Sequence, residues 1–358
     1  MASGSRVPMD LETHAAPFRP CSPDAVVIAS AGDEAYALPL AACVYSAVAN
    51  YRGTHPLHVL IIDAGLSERS RSDISRVLDP LPCHASWRTV PDRAFDAMPV
   101  RAHISRAAYA RLTIPELVDH SVRKVIYLDS DTIVEGDLAE LWAIDVGEHA
   151  LAAVQDAICP LVSSPHGIER YRSLGLQADT PYFNSGVLVV NVPWWRERGL
   201  PRAVLEYVRA NRERLRCLDQ EGLNAVLAGR WLRLDSRWNR MVAPGGGLSP
   251  GRMRRRERGI LHFISNRKPW LPGAWHPLYR VYDGYRSVVD PRRGRERVAF
   301  LVRLWTARAL YVTVRGPYRR LRRLGARSVR AHGRRARPAP LDEPRGSREY
   351  SREPTPSR

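Results

Sequence analysis

Cysteine is scarce in this sequence, and long apolar runs are absent. The 358 residues include five cysteines, which are far apart and contain no CxxC pair. A disulfide framework and a zinc ribbon are therefore disfavoured, and reduced, buried thiols are expected. No stretch of about 18 uncharged apolar residues occurs, which argues against a membrane-spanning helix. Residues 1–23 lack the apolar stretch of a secretory signal, so we expect a flexible lead-in and a cytoplasmic protein.

Acidic residues are also few, but only at one end of the chain. The net charge is +18, and the segment 291–358 contributes +15 of it through 20 arginines and five acidic residues. Residues 1–290 carry only +3, which is ordinary for a globular protein. With 44% apolar residues the chain has ample material for a packed core. Its length fits one large domain with appendages or two small domains.

The basic C-terminal segment is predicted to be helical in its first part. In residues 297–324, leucine, tryptophan and tyrosine alternate with arginine at helical spacing, with a break at Gly316-Pro317. We therefore predict a basic amphipathic helical segment at 291–330 and a disordered tail at 331–358. Such a helix can bind an anionic membrane surface, or it can pack on the body with its arginines solvated. Nucleic acid is a further possible anion, but no nucleic-acid motif in the body favours it.

The body alternates short apolar runs with helical patterns. A domain at 24–290 is predicted, with a parallel, Rossmann-like α/β sheet that binds its ligand at the carboxyl ends of the strands. No GxGxxG follows the first strand, which disfavours a dinucleotide-binding dehydrogenase. The predicted strands are 25–29, 57–62, 85–90 and 124–128, and the predicted helices are 38–48, 67–78 and 105–118, the last with an interruption before Pro115.

Two carboxylates stand where the fourth predicted strand ends. Asp129 and Asp131 are two residues apart, so an extended chain can aim both at one hard divalent cation. The alternative is a solvated turn without a metal, because a short acidic motif often recurs by chance. A second apolar run, 259–263, contains His262 and is followed by Lys268. Two aspartates and a histidine form a mixed oxygen and nitrogen site that suits Mn²⁺ or Mg²⁺.

Six segments in a fixed order resemble glycosyltransferase family 8. Each segment alone also fits a core, turn or helix-cap role, but their order favours the functional interpretation. The resemblance covers residues 24–285 and is strongest to bacterial lipopolysaccharide galactosyl- and glucosyltransferases, and weaker to glycogenin. The segments are DEAY at 33–36, YARL at 109–112, YLDSD at 127–131, YFNSGV at 182–187, DQEGLN at 219–224 and HFISNRKPW at 262–270.

The resemblance implies a GT-A fold, with a mixed sheet flanked by helices, and a hexose transfer that retains anomeric configuration. The donor would be a nucleotide-sugar, with UDP-galactose or UDP-glucose expected, and Mn²⁺ or possibly Mg²⁺ would be the cofactor. Asp129, Asp131 and His262 would be the metal ligands. The implied donor-binding residues are Asp33, Tyr36, Arg111, Asp129, Asn184, Ser185, Asp219, Gln220 and Lys268. Ala35, Ser265 and Glu221 differ from the residues common in the family.

The same resemblance implies three catalytic residues: Gln220, Asp219 and Asp156. Gln220 would lie beneath the anomeric carbon, and an amide is a poor nucleophile, so same-face attack by the acceptor hydroxyl is favoured over a covalent intermediate. Asp156 would orient the acceptor, a glycan or lipid-linked saccharide. The basic tail would hold the enzyme at the inner face of the membrane. The alternatives are a glycogenin-like self-glycosylating initiator, an inactive nucleotide-sugar binder and a nucleic-acid-binding protein.

Overall fold

The structure is a computed structural model. It describes residues 16–90, 95–96, 98–100, 106–243, 258–264, 266–271, 276, 278–292, 294–310 and 313. The chain divides into two compact units, Met1–Arg308 and Ala309–Arg358, and all contacts given below lie within the first. Within the described ranges, no helix combines the length and apolar content needed to cross a membrane.

A seven-stranded mixed sheet forms the centre of the first unit, with the strand order β3-β2-β1-β4-β7-β6-β8. Strand β7 pairs antiparallel with β4 and β6, whereas the other pairings in this sheet are parallel. A smaller sheet has the order β5-β10-β9. The strands are β1 Val26–Gly32, β2 Leu57–Asp63, β3 His84–Thr89, β4 Lys124–Asp129, β5 Thr132–Val134, β6 Leu151–Gln155, β7 Phe183–Asn191, β8 Trp231–Arg233, β9 Arg240–Met241 and β10 Ile260–His262.

Helices cover both faces of the large sheet, which explains why its central strands are buried along nearly their whole length rather than at alternate positions. Along β1, Val26 and Ile28 join the core on one face, and Val27 and Ala29 join the core on the other. The α-helices are α1 Ala37–Ala49, α2 Glu68–Leu78, α3 Ile114–Leu117, α4 Leu138–Trp142, α5 Val192–Glu197, α6 Leu200–Asn211, α7 Leu218–Leu227, α8 Tyr279–Val289 and α9 Gly294–Leu310. The 3-10 helices are Glu34–Tyr36, Arg106–Thr113, Tyr171–Leu174 and Ser236–Asn239.

The reversed direction of β7 determines which residues meet at the sheet edge. The first residues of β7 lie beside the last residues of β4 and β6, the two strands that run antiparallel to it, since Leu128 pairs with Val187 and Gln155 pairs with Phe183. In the smaller sheet, β10 pairs with β5 so that His262 lies opposite Thr132. Two sheets therefore deliver polar side chains to one edge of the molecule.

The mixed sheet and flanking helices confirm the predicted fold class, but three local features differ from the sequence prediction. Phe18, within the expected flexible lead-in, is buried because its ring packs edge-on against His58 at 4.6 Å. The helix predicted at 105–118 is interrupted near Pro115 as expected, but its first part, to Thr113, is a 3-10 helix, and only the short α3 follows. Strand β7 is antiparallel, whereas alternation predicts a parallel sheet.

Helix α9 lies within the predicted basic segment and packs one side on the body. Leu304 and Arg308 are buried, and Arg308 forms a salt bridge to Asp283 of α8. Val298 and Trp305 are exposed. The predicted second helical segment and the tail at 331–358 lie outside the described residues.

We predict that His58 makes folding stability depend on pH. Its ring is buried, Nδ1 accepts a hydrogen bond from the Cys21 amide at 3.1 Å, and Nε2 lies 2.9 Å from Ser86 Oγ. Burial, followed by the charges of His84 and Arg88, lowers the pKa of His58 to about 4. The folded state therefore holds the ring neutral, and this contribution to stability is lost as pH falls from about 6.5 to about 4.

Urea unfolding between pH 4 and pH 8 measures this effect. Relative to His58→Gln, the wild type should lose on the order of 1–2 kcal/mol between pH 7 and pH 4, after allowance for solvent screening of a partly enclosed ring. The matched control is the exposed His120→Gln, which should follow the wild-type curve. A constant difference between wild type and His58→Gln over the whole range would contradict the assignment.

Candidate functional site

Asp129, Asp131 and His262 converge at the sheet edge. One potential ligand atom from each lies within 4.8 Å of the other two. His262 Nε2 is 3.1 Å from Asp131 Oδ1 and 3.9 Å from Asp129 Oδ2. The Thr132 hydroxyl donates to the Asp129 carbonyl at 2.8 Å, and the Phe263 amide donates to the Asp131 carbonyl at 3.0 Å. The pairing of β5 with β10 therefore fixes the histidine against the acidic turn.

These three residues fit a hard divalent cation. Asp131 Oδ1 is buried and lacks a hydrogen-bond donor of good geometry in the described structure. Burial alone raises the pKa of Asp131, but the ammonium group of Lys268, with Nζ at 2.5 Å, holds it well below its usual range. A charged carboxylate with an unused buried oxygen, facing an imidazole nitrogen, is the donor set that Mn²⁺ or Mg²⁺ accepts.

A buried arginine connects the acidic turn to two other elements. Arg111 donates to Asp129 Oδ1 at 2.9 Å and to the Ser185 carbonyl, and its Nε lies 3.0 Å from Asp219 Oδ2. Burial raises the pKa of Asp219 to about 6 despite the adjacent guanidinium. The Tyr127 hydroxyl also donates to Asp129 Oδ1, at 3.1 Å. Arg111 thus pairs with a half-buried carboxyl group, that of Asp129, and a buried one, that of Asp219, from separate parts of the chain.

The start of α7 supplies the far wall of the site. Leu218 has a φ of 41°, a left-handed conformation that is uncommon for leucine. It directs the chain so that Asp219 meets Arg111 and Gln220 meets β7. The Gln220 side chain accepts from the Ser185 amide at 3.0 Å and donates to Asp156 Oδ2 at 3.1 Å.

These groups line a cleft of about 870 Å³, open space at its mouth included. Both acidic side chains and the basic side chains of Arg111 and Lys268 line it, so it suits a ligand that carries a negatively charged phosphate group and a polar ring. The lining residues are Ala31, Gly32, Tyr36, Ala107, Ala108, Arg111, Tyr127, Asp129, Ser130, Asp131, Ser185, Cys217, Asp219, Gln220, His262, Ile264 and Lys268.

Comparison with known proteins identifies the family. The family model described as glycosyl transferase family 8 matches residues 27–274. The chain belongs to glycosyl transferase family 8. General stress protein A of Bacillus subtilis is 27% identical over 272 residues, which are 73% of this chain and 92% of that protein. Glycosyltransferase GlyF of Streptococcus pneumoniae is 26% identical over 264 residues, 73% of this chain and 61% of that protein.

Solved structures agree with this membership. The crystal structure of galactosyltransferase LgtC in complex with donor and acceptor sugar analogs has a TM-score of 0.64 and 25% identity. The match covers 77% of this chain and all of that one. The protein is therefore a glycosyltransferase with a GT-A fold.

Nine of the twelve predicted site residues line the cleft, and three do not. Tyr36, Arg111, Ser185, Gln220 and Lys268 line the cleft together with the three candidate metal ligands and Asp219. The other three do not line it. Asn184 and Asp156 are buried behind Gln220, and Asp33 accepts the Tyr36 amide hydrogen bond at 3.2 Å.

Asn239 and Gly186 are parts of the site that sequence reasoning missed. Asn239 Oδ1 lies 3.0 Å from His262 Nδ1, but it belongs to a short 3-10 helix with no motif around it. Gly186 leaves the space that the His262 ring occupies, because a Cβ there would lie 2.2 Å from Cε1 of the ring. The glycine stands in the predicted YFNSGV segment, and its contact with the ring follows only from the strand pairing.

We predict that Gly186→Ala weakens divalent-metal binding. The added methyl would lie 2.2 Å from His262 Cε1 and 3.0 Å from Asp129 Oδ2, so the imidazole must move. We expect the Mn²⁺ dissociation constant to rise at least about 10-fold, as measured by electron paramagnetic resonance of free Mn²⁺. Gly284→Ala in α8 is the control, since its Cβ has no neighbour within 4 Å. Equal Mn²⁺ affinity of the two variants, both folded by circular dichroism, would contradict the geometry.

Proposed function

We propose that the protein is a retaining hexosyltransferase that uses a UDP-linked galactose or glucose donor and requires Mn²⁺, with Mg²⁺ as the alternative cofactor. The acceptor is a glycan or a lipid-linked saccharide. The observation that carries this proposal is the convergence of Asp129, Asp131 and His262 in a cleft that also contains Lys268 and Arg111. The likeness to a galactosyltransferase with donor and acceptor sugar analogs supports the choice of substrates.

Asp129, Asp131 and His262 would hold the cation. When bound, a divalent cation supplies Lewis-acid stabilisation of the charge that develops on the departing diphosphate. Lys268 lines the same cleft, and its ammonium group donates to Asp131 and to the Phe263 carbonyl. It is therefore held where it adds a positive charge beside the phosphates without needing to move far.

The surroundings of Gln220 support attack on the same face as the departing group. Both ends of its amide are engaged, by the Ser185 amide and by Asp156. Asp156 itself is buried behind it and accepts two main-chain amides, from Ile158 and Cys159, at 2.8 Å each. An amide is a poor nucleophile, and this carboxyl group is enclosed, so a covalent glycosyl intermediate on either is disfavoured. Asp219 pairs with Arg111 and shapes the sugar-binding wall.

We predict that Asp129→Asn and Asp131→Asn each abolish most metal-dependent turnover of the donor. Loss of one carboxylate charge weakens the cation site, and we expect UDP-sugar hydrolysis in Mn²⁺ to fall at least about 100-fold. The assay is UDP release from a panel of nucleotide-sugars. The exposed Asp145→Asn serves as the matched control and should retain wild-type rates.

Wild-type turnover in either site variant would refute the metal assignment. The same reactions, followed by intact mass, test the self-glycosylating alternative. A mass increase of one or more hexoses on the protein would favour that alternative over transfer to a separate acceptor.

We also propose that the basic tail places the enzyme at the inner face of an anionic membrane. Residues 314–358 contain 14 arginines and four acidic residues. Because Leu304 and Arg308 are buried, truncation at residue 290 would remove packed side chains, whereas truncation after Thr313 retains them. We expect the 1–313 protein to lose co-sedimentation with phosphatidylserine vesicles, and full-length binding to weaken in high salt.

A second variant separates charge from chain length in this experiment. Replacement of Arg319, Arg320, Arg322 and Arg323 by glutamine should weaken vesicle binding while the chain stays complete. Equal vesicle binding by the full-length and 1–313 proteins would reject the membrane proposal. Binding of the full-length protein to RNA but not to vesicles would favour the nucleic-acid alternative.

A further inference from the structure

We propose that Asn239 is a positioning residue that fixes His262 in the tautomer with the proton on Nδ1, so that the lone pair of Nε2 faces Asp129 and Asp131. The inference rests on the proposed metal-dependent function, because its purpose is to present a ligand nitrogen to the cation. Asn239 is 2% exposed and His262 is 5% exposed, so water has little access to compete with the hydrogen bond between them.

The main-chain amide of Gly186 determines the orientation of the Asn184 side chain. The main-chain N–H of Gly186 lies 2.9 Å from Asn184 Oδ1. A main-chain amide can only donate, so this atom of Asn184 is its carbonyl oxygen, and the other end of the side chain is the NH₂ group. That NH₂ group donates to Asp156 Oδ2 at 3.0 Å, in agreement with this orientation.

The orientation of Asn184 determines the orientation of Asn239. The Asn239 side chain approaches Asn184 Oδ1 at 2.8 Å, and the approaching atom must be a donor, because two carbonyl oxygens at that distance would repel. Asn239 Nδ2 therefore faces Asn184, and Asn239 Oδ1 faces His262. No rotation of the amide satisfies both neighbours in another way.

The orientation of Asn239 then determines the tautomer of His262. Asn239 Oδ1 has no proton and lies 3.0 Å from His262 Nδ1, so the ring must donate from Nδ1. In the neutral ring, Nε2 then carries the lone pair, and it lies 3.1 Å from Asp131 Oδ1. Two lone-pair-bearing atoms that face each other are stabilised by a cation between them, which is the arrangement of a metal-ligating histidine held by an outer hydrogen bond.

The carboxyl group of Asp156 connects this series of hydrogen bonds to Gln220 in the wall of the cleft. Asp156 Oδ2 accepts from Asn184 Nδ2 and also from Gln220 Nε2, while Asp156 Oδ1 is held by two main-chain amides. The same oxygen therefore holds Asn184, the first residue in the series of hydrogen bonds that leads to His262, and also Gln220 in the wall of the cleft. Asp156 is a shared support for the two halves of the site.

Long-range ¹H–¹⁵N NMR of the metal-free protein tests the tautomer directly. The His262 signals are assigned by their loss in His262→Gln, and the wild type should show a protonated Nδ1 and an unprotonated Nε2. Asn239→Leu removes the acceptor and should lose this tautomer preference. Asn239→Asp loses the NH₂ group that donates to Asn184, but it keeps an acceptor oxygen for His262 Nδ1 and should retain the Nδ1–H tautomer.

Mn²⁺ affinity provides the second readout. Asn239→Leu should raise the dissociation constant about 10- to 100-fold, and Asn239→Asp should raise it by less than Asn239→Leu does, because it keeps the acceptor for His262 but loses the NH₂ group that donates to Asn184. The control is Asn50→Leu, which removes an amide with three hydrogen bonds outside the cleft and should leave affinity and tautomer unchanged. If neither Asn239 variant folds, the wild-type spectrum alone decides.

The two proposals fail in different ways. A neutral wild-type His262 that is protonated on Nε2 and not on Nδ1 would overturn the positioning role, and so would an Asn239→Leu variant with unchanged tautomer and affinity. A wild type that shows the Nδ1–H tautomer but binds no Mn²⁺ would preserve the hydrogen-bond assignment and refute the metal-dependent function.

Discussion

The guanidinium of Arg111 is the interaction on which the cleft depends. It is 4% exposed, and it contacts the end of β4 through Asp129, the start of β7 through Ser185 and the start of α7 through Asp219. A buried carboxylate is costly unless it is paired, and removal of one partner of a buried ion pair typically costs about 3–5 kcal/mol. The pKa of Arg111 is raised above its usual value by Asp129 and Asp219, although burial opposes this. The Arg111 side chain thus connects β4, β7 and α7 around the site.

The topology of the large sheet explains why these elements meet. In a purely parallel sheet, only residues after the strands reach the binding edge. Here β7 runs in the opposite direction, so its first residues, Asn184 and Ser185, reach the edge beside Asp129. The small β5-β10-β9 sheet then adds His262 from a segment about 130 residues away in sequence. The cleft is formed by the ends of parallel strands, the start of β7 and the antiparallel pair of β5 and β10.

The sequence predicted the parts of the site that follow from apolar strands. In the run 124–128 every residue after Lys124 is apolar and buried because helices cover both faces of the sheet, and this run placed Asp129 and Asp131 at a strand end. His262 was predicted in the same way from the run 259–263. The family model confirms the predicted family, and the individual roles of Gln220, Asp219 and Asp156 remain predictions.

Other features had no local signal in the sequence. An apolar run does not reveal strand direction, so the reversal of β7 could not be predicted from the pattern of hydrophobic residues. Asn239 acquires its contact with His262 only through tertiary packing, and nothing in its neighbours marks it. Phe18 was assigned to a flexible lead-in because residues 1–23 are polar and contain proline, yet its ring packs against His58 of β2 and its main chain forms hydrogen bonds with Leu117 and Asp119.

The left-handed backbone of Leu218 has a consequence for the evolution of this cleft. A non-glycine residue in that conformation costs about 1–2 kcal/mol, and its apolar side chain, fully enclosed in the core, offsets that cost. Glycine would relieve the strain but would leave a void and let the loop adopt many conformations. The strained backbone of Leu218 thus gives a rigid approach to Gln220, and this leucine is constrained by its shape even though it does not line the cleft.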